Sequence, residues 1–166
     1  MKILDDRQIH QKIKRLAIEI LERHFGEPKI ILAGLNNNGV EFAQLLLKEL
    51  LPLAPGDMKI ILTRIRLNPA NPLEYPPNIE MPPERLRNRP IIIVDDVANT
   101  GRTIFYAIQP LLAILPKQVE VAVLVDRKHK SFPIKADYVG LSLYTTMRDD
   151  IDVKIHAGSE MAVYLR

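Results

Sequence analysis

Cysteine is absent from the 166 residues of the chain, and so is tryptophan. Without cysteine there is no disulfide bridge, thiolate metal site or cysteine nucleophile, and the composition agrees with an expected cytoplasmic location. Aromatic residues make up only 5% of the sequence, so few side chains are available to stack on nucleic-acid bases. No apolar run reaches the ~20 residues that a membrane helix needs, and we expect no membrane partner.

Neither sign of charge is in large excess. The 23 lysines and arginines outnumber the 20 aspartates and glutamates by three, a balance that is too even to identify a nucleic-acid-binding protein. Hydrophobic residues account for 47% of the chain, which suits a folded domain with a full core. Because the length corresponds to about one domain, we predict a single domain over residues 1–166.

Helix-like and strand-like patterns alternate along most of the sequence. Apolar residues at helical spacing follow Asp5, and short runs rich in isoleucine and valine are typical of buried strands. Pro52 would close the second helix and Pro110 would kink the third. This order predicts an α/β fold with a mainly parallel central sheet flanked by helices. We predict helices over about 5–24, 40–50 and 102–115, strands over 29–33, 59–65, 91–94, 119–125 and 138–143, a loop over 34–39, and edge strands within 151–165.

Residues 67–90 interrupt this alternation. They hold seven of the 13 prolines, together with Asn68, Asn71, Asn78 and Asn88. No helical or strand period survives there, and loops of this length inside a compact domain are usually functional or disordered. A functional loop and a tolerated surface insertion both agree with the pattern.

The clearest chemical signal is the run from Ile91 to Thr103, IIIVDDVANTGRT. A buried strand ends in Asp95 and Asp96, and in open α/β sheets ligands bind at the carboxyl ends of the strands. A small polar turn then opens a helix, whose backbone N–H groups suit a phosphate. Gly101 permits a close approach of the backbone. The run therefore predicts a site for a phosphorylated, polyhydroxylated ligand, with sugar hydroxyls or a water-held magnesium ion beside the carboxylates.

Two other interpretations compete with this one. A strand end followed by an ordinary capped helix needs no ligand, but it does not explain the complete run. A phosphatase or nuclease could use Asp95 and Asp96 as metal ligands, but no further carboxylates lie close by in the sequence. We therefore favour the phosphate and sugar site.

The run resembles the phosphoribosyl pyrophosphate (PRPP) signature of the type I phosphoribosyltransferases. Within that family the sequence most resembles the pyrimidine-operon attenuation regulator, which is also a uracil phosphoribosyltransferase. The resemblance continues in Leu4–Asp6, Ala33–Leu35, Val121–Arg127 and Ala136–Gly140. It spans nearly the whole chain and implies the type I phosphoribosyltransferase fold, which is Rossmann-like.

The resemblance implies an enzyme that transfers phosphoribosyl from PRPP to a pyrimidine base, with uracil expected, and releases pyrophosphate with Mg²⁺ as cofactor. It implies that Asp95 and Asp96 bind the ribose hydroxyls and orient magnesium pyrophosphate through ligand and water oxygens. The implied substrate contacts are the 5-phosphate turn Ala98, Asn99, Thr100, Gly101, Arg102 and Thr103, the pyrophosphate loop Asn36, Asn37, Asn38 and Gly39, the cation Arg64, the strand end Asp126 and Arg127, and the base-binding wall at Val139 and Leu141.

The sequence departs from the family pattern at the pyrophosphate loop. Relatives place lysine or arginine there, whereas this chain has Asn36, Asn37 and Asn38. Asparagine donates hydrogen bonds but carries no charge, so it stabilises a leaving pyrophosphate less well. The triplet also suits a plain turn with Asn38 as the helix cap. Arg64 or Arg66, further along the chain, could point toward pyrophosphate instead.

A second departure bears on the base. Asn99 stands where hypoxanthine-guanine relatives have an aspartate that serves as a base toward the purine. An amide cannot accept that proton at neutral pH. Asn99 therefore favours a pyrimidine over a purine.

The resemblance also implies a second hypothesis, a nucleotide- or PRPP-sensing, RNA-binding regulator of pyrimidine genes with weak or no catalysis. Lys12, Lys14, Arg15 and Arg23 give the first helix several cations, although two glutamates lie among them. A solvated helix face explains the same pattern. RNA is an expected partner under this hypothesis, and a homo-oligomer, either a dimer or a tetramer, is expected under both.

Overall fold

Nine strands and four α-helices make up the computed structural model, which describes residues 1–166. No helix combines the length and the apolar composition that crossing a membrane requires. In chain order the elements are β1 (Lys2–Leu4), α1 (Asp6–Arg23), β2 (Lys29–Leu35), α2 (Asn36–Leu53), β3 (Lys59–Arg66), β4 (Asn78–Ile79), α3 (Pro83–Leu86), β5 (Pro90–Ala98), α4 (Arg102–Ala107), a 3₁₀ turn (Gln109–Leu111), β6 (Gln118–Arg127), β7 (Tyr138–Leu143), β8 (Ile151–Lys154) and β9 (Ala162–Leu165).

The larger of two sheets has the strand order β4-β3-β2-β5-β6-β7. All neighbours from β3 to β7 are parallel, and only the short β4 is antiparallel. The predicted mainly parallel sheet flanked by helices is therefore confirmed. The second sheet, β1-β9-β8, is antiparallel. The strands predicted within 151–165 form there, paired with an N-terminal strand that is too short to show a sequence period.

The large sheet separates two apolar cores. Side chains alternate between the faces of a strand, so Ile92 and Val94 face α1 and α2, whereas Ile91 and Ile93 face α4. All four side chains are fully buried. Burial on both faces explains why the central strands are continuous apolar runs in the sequence.

Asp5 fixes the start of α1. Its carboxylate accepts a hydrogen bond from the Gln8 amide at 2.8 Å, and the Gln8 side chain accepts one from the Asp5 amide at 2.9 Å. This capping box satisfies two backbone donors that a helix start leaves free. The helix predicted over about 5–24 is confirmed, and its apolar stripe is buried against the sheet.

Two predicted boundaries are wrong. The loop predicted over 34–39 does not form, because β2 continues to Leu35 and α2 begins at Asn36. The helix predicted over 102–115 ends at Ala107 and is followed by the 3₁₀ turn. Pro110 lies in that turn, since its ring and its missing amide hydrogen oppose an α-helical interior. Pro52 lies in the last turn of α2.

Residues 67–90, the cover segment, contain more structure than their sequence period predicts. They include β4 and α3, and Leu67, Met81 and Leu86 are buried in the core beside α4. The Met81 amide donates to the Thr63 hydroxyl at 3.1 Å. Elements of two and four residues are too short for a period to reveal, but their apolar side chains still attach the segment to the domain.

Candidate active site

The carboxyl ends of the central strands bring the predicted site residues to one edge of the sheet. In the β5–β6–β7 ladder, Asp95 is level with Val139 and Val97 is level with Leu141, with one β6 residue between each pair. At ~4.8 Å per strand, the backbones of Asp95 and of the predicted base-binding wall are roughly 10 Å apart. Arg64 lies at the end of β3, two strands from β5 on the other side.

Asp95 and Asp96 form an acidic pair without a protein cation. The Asp95 carboxylate accepts from the Asp96 amide at 2.9 Å, and the Asp96 carboxylate accepts from the Val97 amide at 2.8 Å. Burial raises the pKa of Asp95 well above its usual value, and the neighbouring Asp96 charge adds to this. Burial also raises the pKa of Asp96, and Glu41 of α2 contributes. Such uncompensated oxygens fit a hydrated divalent cation or hydroxyl donors of a ligand.

The turn from Ala98 to Thr103 is concave and open to a ligand. With Asp95 and Val97 it lines a cavity of about 50 Å³, the size of a small anionic group rather than a nucleotide. Gly101 caps α4 with a φ of +87°, a left-handed conformation that favours glycine. A Cβ at Gly101 would lie 3.1 Å from the Ile134 side chain. The turn is thus shaped by a residue whose replacement would strain it.

The three asparagines at the start of α2 are not equivalent. Asn36 has a φ of +52°, and its side-chain oxygen accepts a hydrogen bond from the Leu67 amide at 3.0 Å. Asn36 therefore ties the cover segment to α2. Asn37 and Asn38 are exposed. The alternative of a plain turn with Asn38 as the helix cap does not hold, because Leu35 occupies the cap position and no side chain caps the helix.

Gly39 is buried rather than available to solvent. A Cβ there would lie 2.5 Å from the Val94 carbonyl oxygen of β5. The missing side chain lets the first turn of α2 lie directly on the sheet. The substrate contact predicted for Gly39 would therefore have to come from its backbone.

Arg64 and Arg66 lie at the carboxyl end of β3, and both are close to the Glu80 carboxylate. Arg66 donates to Glu80 Oε1 from Nε at 2.9 Å and from Nη2 at 2.8 Å, whereas Arg64 Nη1 lies 3.9 Å away from the same oxygen. The Nε atom of Arg64 is buried without a hydrogen-bond partner. Arg64 therefore retains donor capacity for an anion, whereas Arg66 is directed to Glu80.

The last two residues of β6, Asp126 and Arg127, are engaged in contacts with other residues of the protein. Asp126 is buried, and its carboxylate lies 2.6 Å from Lys130 Nζ and 3.4 Å from Lys128 Nζ. Arg127 donates from Nη1 to the side-chain oxygen of Asn99 at 3.2 Å. Its other donors contact Thr145, Thr146 and Asp149. Substrate contacts by Asp126 and Arg127 stay predictions.

A larger cleft adjoins the Ala98–Thr103 turn on the side of Arg127. Its volume is about 510 Å³, enough for a heterocyclic base and its surroundings. The side chains around it are mainly basic or polar, and Met147 at its rim is almost fully exposed. The cleft is lined by Asn99, Thr100, Arg127, Lys128, His129, Lys130, Ser131 and Met147.

The predicted base-binding wall, at Val139 and Leu141, carries a contact that no sequence pattern indicated. Val139 and Leu141 are half-buried. Arg15 of α1 donates from Nη2 to the carbonyl oxygens of Val139 at 2.9 Å and Gly140 at 3.0 Å. The partners are 124 and 125 residues apart, and no local pattern in the sequence links them.

Comparison with known proteins agrees with this geometry. Residues 1–156 match the family described as the phosphoribosyl transferase domain. The chain is 34% identical over 164 residues to the "Bifunctional protein PyrR" of Haemophilus ducreyi (strain 35000HP / ATCC 700724), covering 92% of this chain and 88% of the relative. It is 32% identical over 162 residues to the protein of that name from Bacillus pumilus (strain SAFR-032), covering 93% and 89%.

Solved structures show the same fold. A hypoxanthine-guanine phosphoribosyltransferase from Bacillus anthracis superposes with a TM-score of 0.74 at 19% identity, covering 91% of this chain and 86% of that chain. A hypoxanthine phosphoribosyltransferase from Staphylococcus aureus superposes with a TM-score of 0.71 at 18% identity, covering 89% and 80%.

The fold and the family match together define a type I phosphoribosyltransferase domain, in which the parallel sheet presents an acidic pair and a concave turn at its carboxyl end. The relatives place it more narrowly. The chain belongs to the phosphoribosyltransferase family, and the predicted resemblance to its pyrimidine-regulator branch is confirmed by the PyrR relatives.

Proposed function

We propose that the protein transfers phosphoribosyl from PRPP to a pyrimidine base, with uracil as the substrate, and releases pyrophosphate. One observation carries this proposal. The turn Ala98–Thr103 lines a phosphate-sized cavity directly beside Asp95 and Asp96, which have no protein cation. A ligand that joins a phosphate to vicinal hydroxyls suits both features at once.

The chemistry is a displacement at ribose C1. A ring nitrogen of the base forms the new bond to C1 and gives up its proton to water, while the bond from C1 to pyrophosphate breaks and its electron pair leaves with pyrophosphate, through a state with oxocarbenium character. Asp95 and Asp96 accept hydrogen bonds from the ribose hydroxyls and face the developing positive charge. The turn holds the 5-phosphate, so C1 is fixed relative to the base. When bound, magnesium neutralises the pyrophosphate leaving group.

Pyrophosphate is the weaker part of the proposed site. Asn37 and Asn38 offer amide donors at the exposed start of α2, and Arg64, whose side chain is 26% exposed and whose Nη1 lies 3.9 Å from Glu80, offers its guanidinium. One partly neutralised arginine stabilises a leaving polyanion less than a charged loop does. We therefore expect slow turnover.

A pyrophosphate-release assay tests the proposal. The protein is supplied with PRPP, Mg²⁺ and, in separate reactions, uracil, hypoxanthine, guanine, adenine or orotate. Release with uracil alone is the expected result. Release with a purine alone would contradict the assigned base, and no release with any base would contradict catalysis.

A second candidate function is RNA-binding regulation with little catalysis. Relatives carry the name "Bifunctional protein PyrR", and Lys128, His129 and Lys130 give the 510 Å³ cleft a basic rim. Binding of a structured RNA, measured over a range of salt concentrations with and without uridine nucleotide, tests it. A nucleotide-dependent, salt-sensitive affinity supports regulation. Equal, weak binding of every RNA contradicts it.

A further part of the proposal concerns the number of domains, the location and the oligomeric state of the protein. We propose that residues 1–166 form one domain that acts in the cytoplasm as a homo-oligomer. Leu4, Ile151 and Val163 from the small sheet share a core with α1, which supports the single domain. Leu112 and Leu115 are highly exposed apolar side chains near α4, which supports assembly. Analytical ultracentrifugation measures the oligomeric state, and a monomer at all concentrations would contradict it.

A further inference from the structure

β7 is the last strand of the large sheet, so one of its edges has no neighbouring strand. An edge of this kind presents backbone N–H and C=O groups without sheet partners. Helix α1 lies beside this strand, and Arg15 Nη2 donates to the carbonyl oxygens of Val139 and Gly140. One side chain thus donates to two consecutive carbonyls of β7.

The backbone of β7 is also restricted on the side that faces β6. A Cβ at Gly140 would lie 2.4 Å from the Leu124 carbonyl oxygen of β6, so this position of β7 has no room for a side chain. Arg15 holds the same backbone from the α1 side. Glu19, one helical turn further, lies 3.4 Å from Arg15 Nε and keeps the guanidinium directed along the helix surface.

The Val139 carbonyl and the Gly140 N–H belong to one peptide unit. The Gly140 carbonyl and the Leu141 N–H belong to the next. A cation at the carbonyl oxygen polarises a peptide unit and strengthens its N–H as a donor. Arg15 therefore does two things to the wall: it fixes the backbone position, and it favours the donor character of these amides. A base with carbonyl oxygens suits such a wall better than one with amino groups.

We propose that Arg15 is a positioning residue for base recognition, acting through the backbone of Val139–Leu141. The proposal rests on the proposed function, in which this segment contacts the base. Arginine is suited to the role because its planar guanidinium has several donors at fixed angles, whereas lysine is a flexible point charge.

Three variants test the proposal. Arg15→Gln removes the charge and the guanidinium, Arg15→Lys keeps the charge, and Arg7→Gln is the matched control on the exposed surface of the same helix. We measure kcat and KM for uracil and PRPP. Arg15→Gln should raise the KM for uracil roughly tenfold with the KM for PRPP unchanged. Arg15→Lys should fall between it and the wild type, and Arg7→Gln should match the wild type.

Amide hydrogen exchange in the ligand-free protein gives a second readout. Exchange at Gly140 and Leu141 should accelerate in Arg15→Gln and not in Arg7→Gln. Unchanged exchange would overturn the claim that Arg15 fixes the strand, even if the wild type turned over no base and the proposed function failed. Faster exchange with an unchanged KM for uracil, or an equal rise in both KM values, would overturn the role in base recognition while leaving the proposed function intact.

Discussion

Buried Glu120 and the half-buried pair Asp95 and Asp96, at opposite ends of the large sheet, have opposite surroundings. At the amino end, Glu120 of β6 lies 2.5 Å from His24 Nε2 and accepts a hydrogen bond from the Tyr138 hydroxyl at 3.0 Å. At the carboxyl end, Asp95 and Asp96 lie side by side without a cation. A buried charge without a partner is costly. The difference therefore separates a carboxylate that stabilises the fold from a pair that is available to a ligand.

The pKa directions express the same contrast. Burial alone would raise the pKa of Glu120, but the hydrogen bond and charge of His24, with help from Tyr138, outweigh it, and the pKa lies below its usual value. At the other end, burial raises the pKa of Asp95 well above its usual value. The fold thus favours the ionised form of Glu120 and disfavours the ionised forms of Asp95 and Asp96.

The largest effect is expected from Asp95→Asn combined with Asp96→Asn. Turnover should fall by roughly a thousandfold because the ribose contacts and the charge facing C1 are lost. The melting temperature should stay the same or rise by about 2–4 °C, since two crowded charges are removed. The exposed Asp57→Asn variant is the control, and full activity in the double variant would refute the ribose-binding role.

Adding a cation at the carboxyl end of the large sheet should raise the rate of pyrophosphate release. Asn38→Arg places a guanidinium at the exposed start of α2, and pyrophosphate release should accelerate roughly tenfold because a leaving polyanion gains a charged partner. Gln44→Arg, further along the exposed surface of the same helix, is the control. Asn36→Lys should gain less, because it loses the contact with Leu67. Equal rates for Asn38→Arg and the wild type would contradict an undercharged pyrophosphate site.

A substitution at the amino end of the large sheet should change the stability of the protein rather than its activity. Glu120→Gln should lower the free energy of unfolding at pH 7 by about 2–3 kcal/mol, because it removes one partner of a buried charged group. Turnover should change less than about twofold, since Glu120 lies at the opposite end from the site. Denaturant midpoints measure the first quantity, with the exposed Glu84→Gln as control. A Glu120→Gln variant that is as stable as the wild type but inactive would contradict the assignment of Glu120 to stability rather than to activity.

The same residue predicts a pH dependence. Because the folded-state pKa of Glu120 is lowered, its ionised form contributes stability that is fully present above the unfolded value of ~4.3 and is lost as the pH falls through the folded value. Wild type should therefore lose stability below about pH 4.3 more steeply than Glu120→Gln. Parallel stability curves for the two proteins from pH 7 to pH 3 would contradict this.

The smallest effect is expected at the cover segment. Arg102 donates from Nη2 to the Pro69 carbonyl at 2.6 Å, and this contact is exposed. Arg102→Gln should change global stability by less than about 0.5 kcal/mol but should increase limited proteolysis within 68–75. Arg87→Gln, exposed on the same segment, is the control. Identical cleavage of both variants would show that the contact does not restrain the segment.

Local patterns predicted the carboxyl end well. The run from Ile91 to Thr103 specifies strand, acidic pair, turn and helix in consecutive residues, so its local structure could be predicted before the fold was known. The central strands were predictable for the same reason, because burial on both faces leaves continuous apolar runs. What can be predicted in this way is structure that neighbouring residues determine together.

Contacts between distant segments could not be predicted. His24 and Glu120 are 96 residues apart, and Asn36 and Leu67 are 31 residues apart. A period describes which face of an element is apolar, but it does not state which polar side chain on another element will meet it. The amino-end cluster and the role of Asn36 therefore emerged only from the three-dimensional arrangement.

The most direct test of the account is PRPP binding at the carboxyl end. Calorimetry with Mg²⁺ would compare the wild type, the Asp95→Asn, Asp96→Asn double variant and Glu120→Gln at a temperature where all three are folded. The account predicts binding by the wild type and by Glu120→Gln, and at least a tenfold weaker affinity for the double variant. Equal PRPP affinity in the wild type and the double variant would contradict the assignment of this edge as the ligand site.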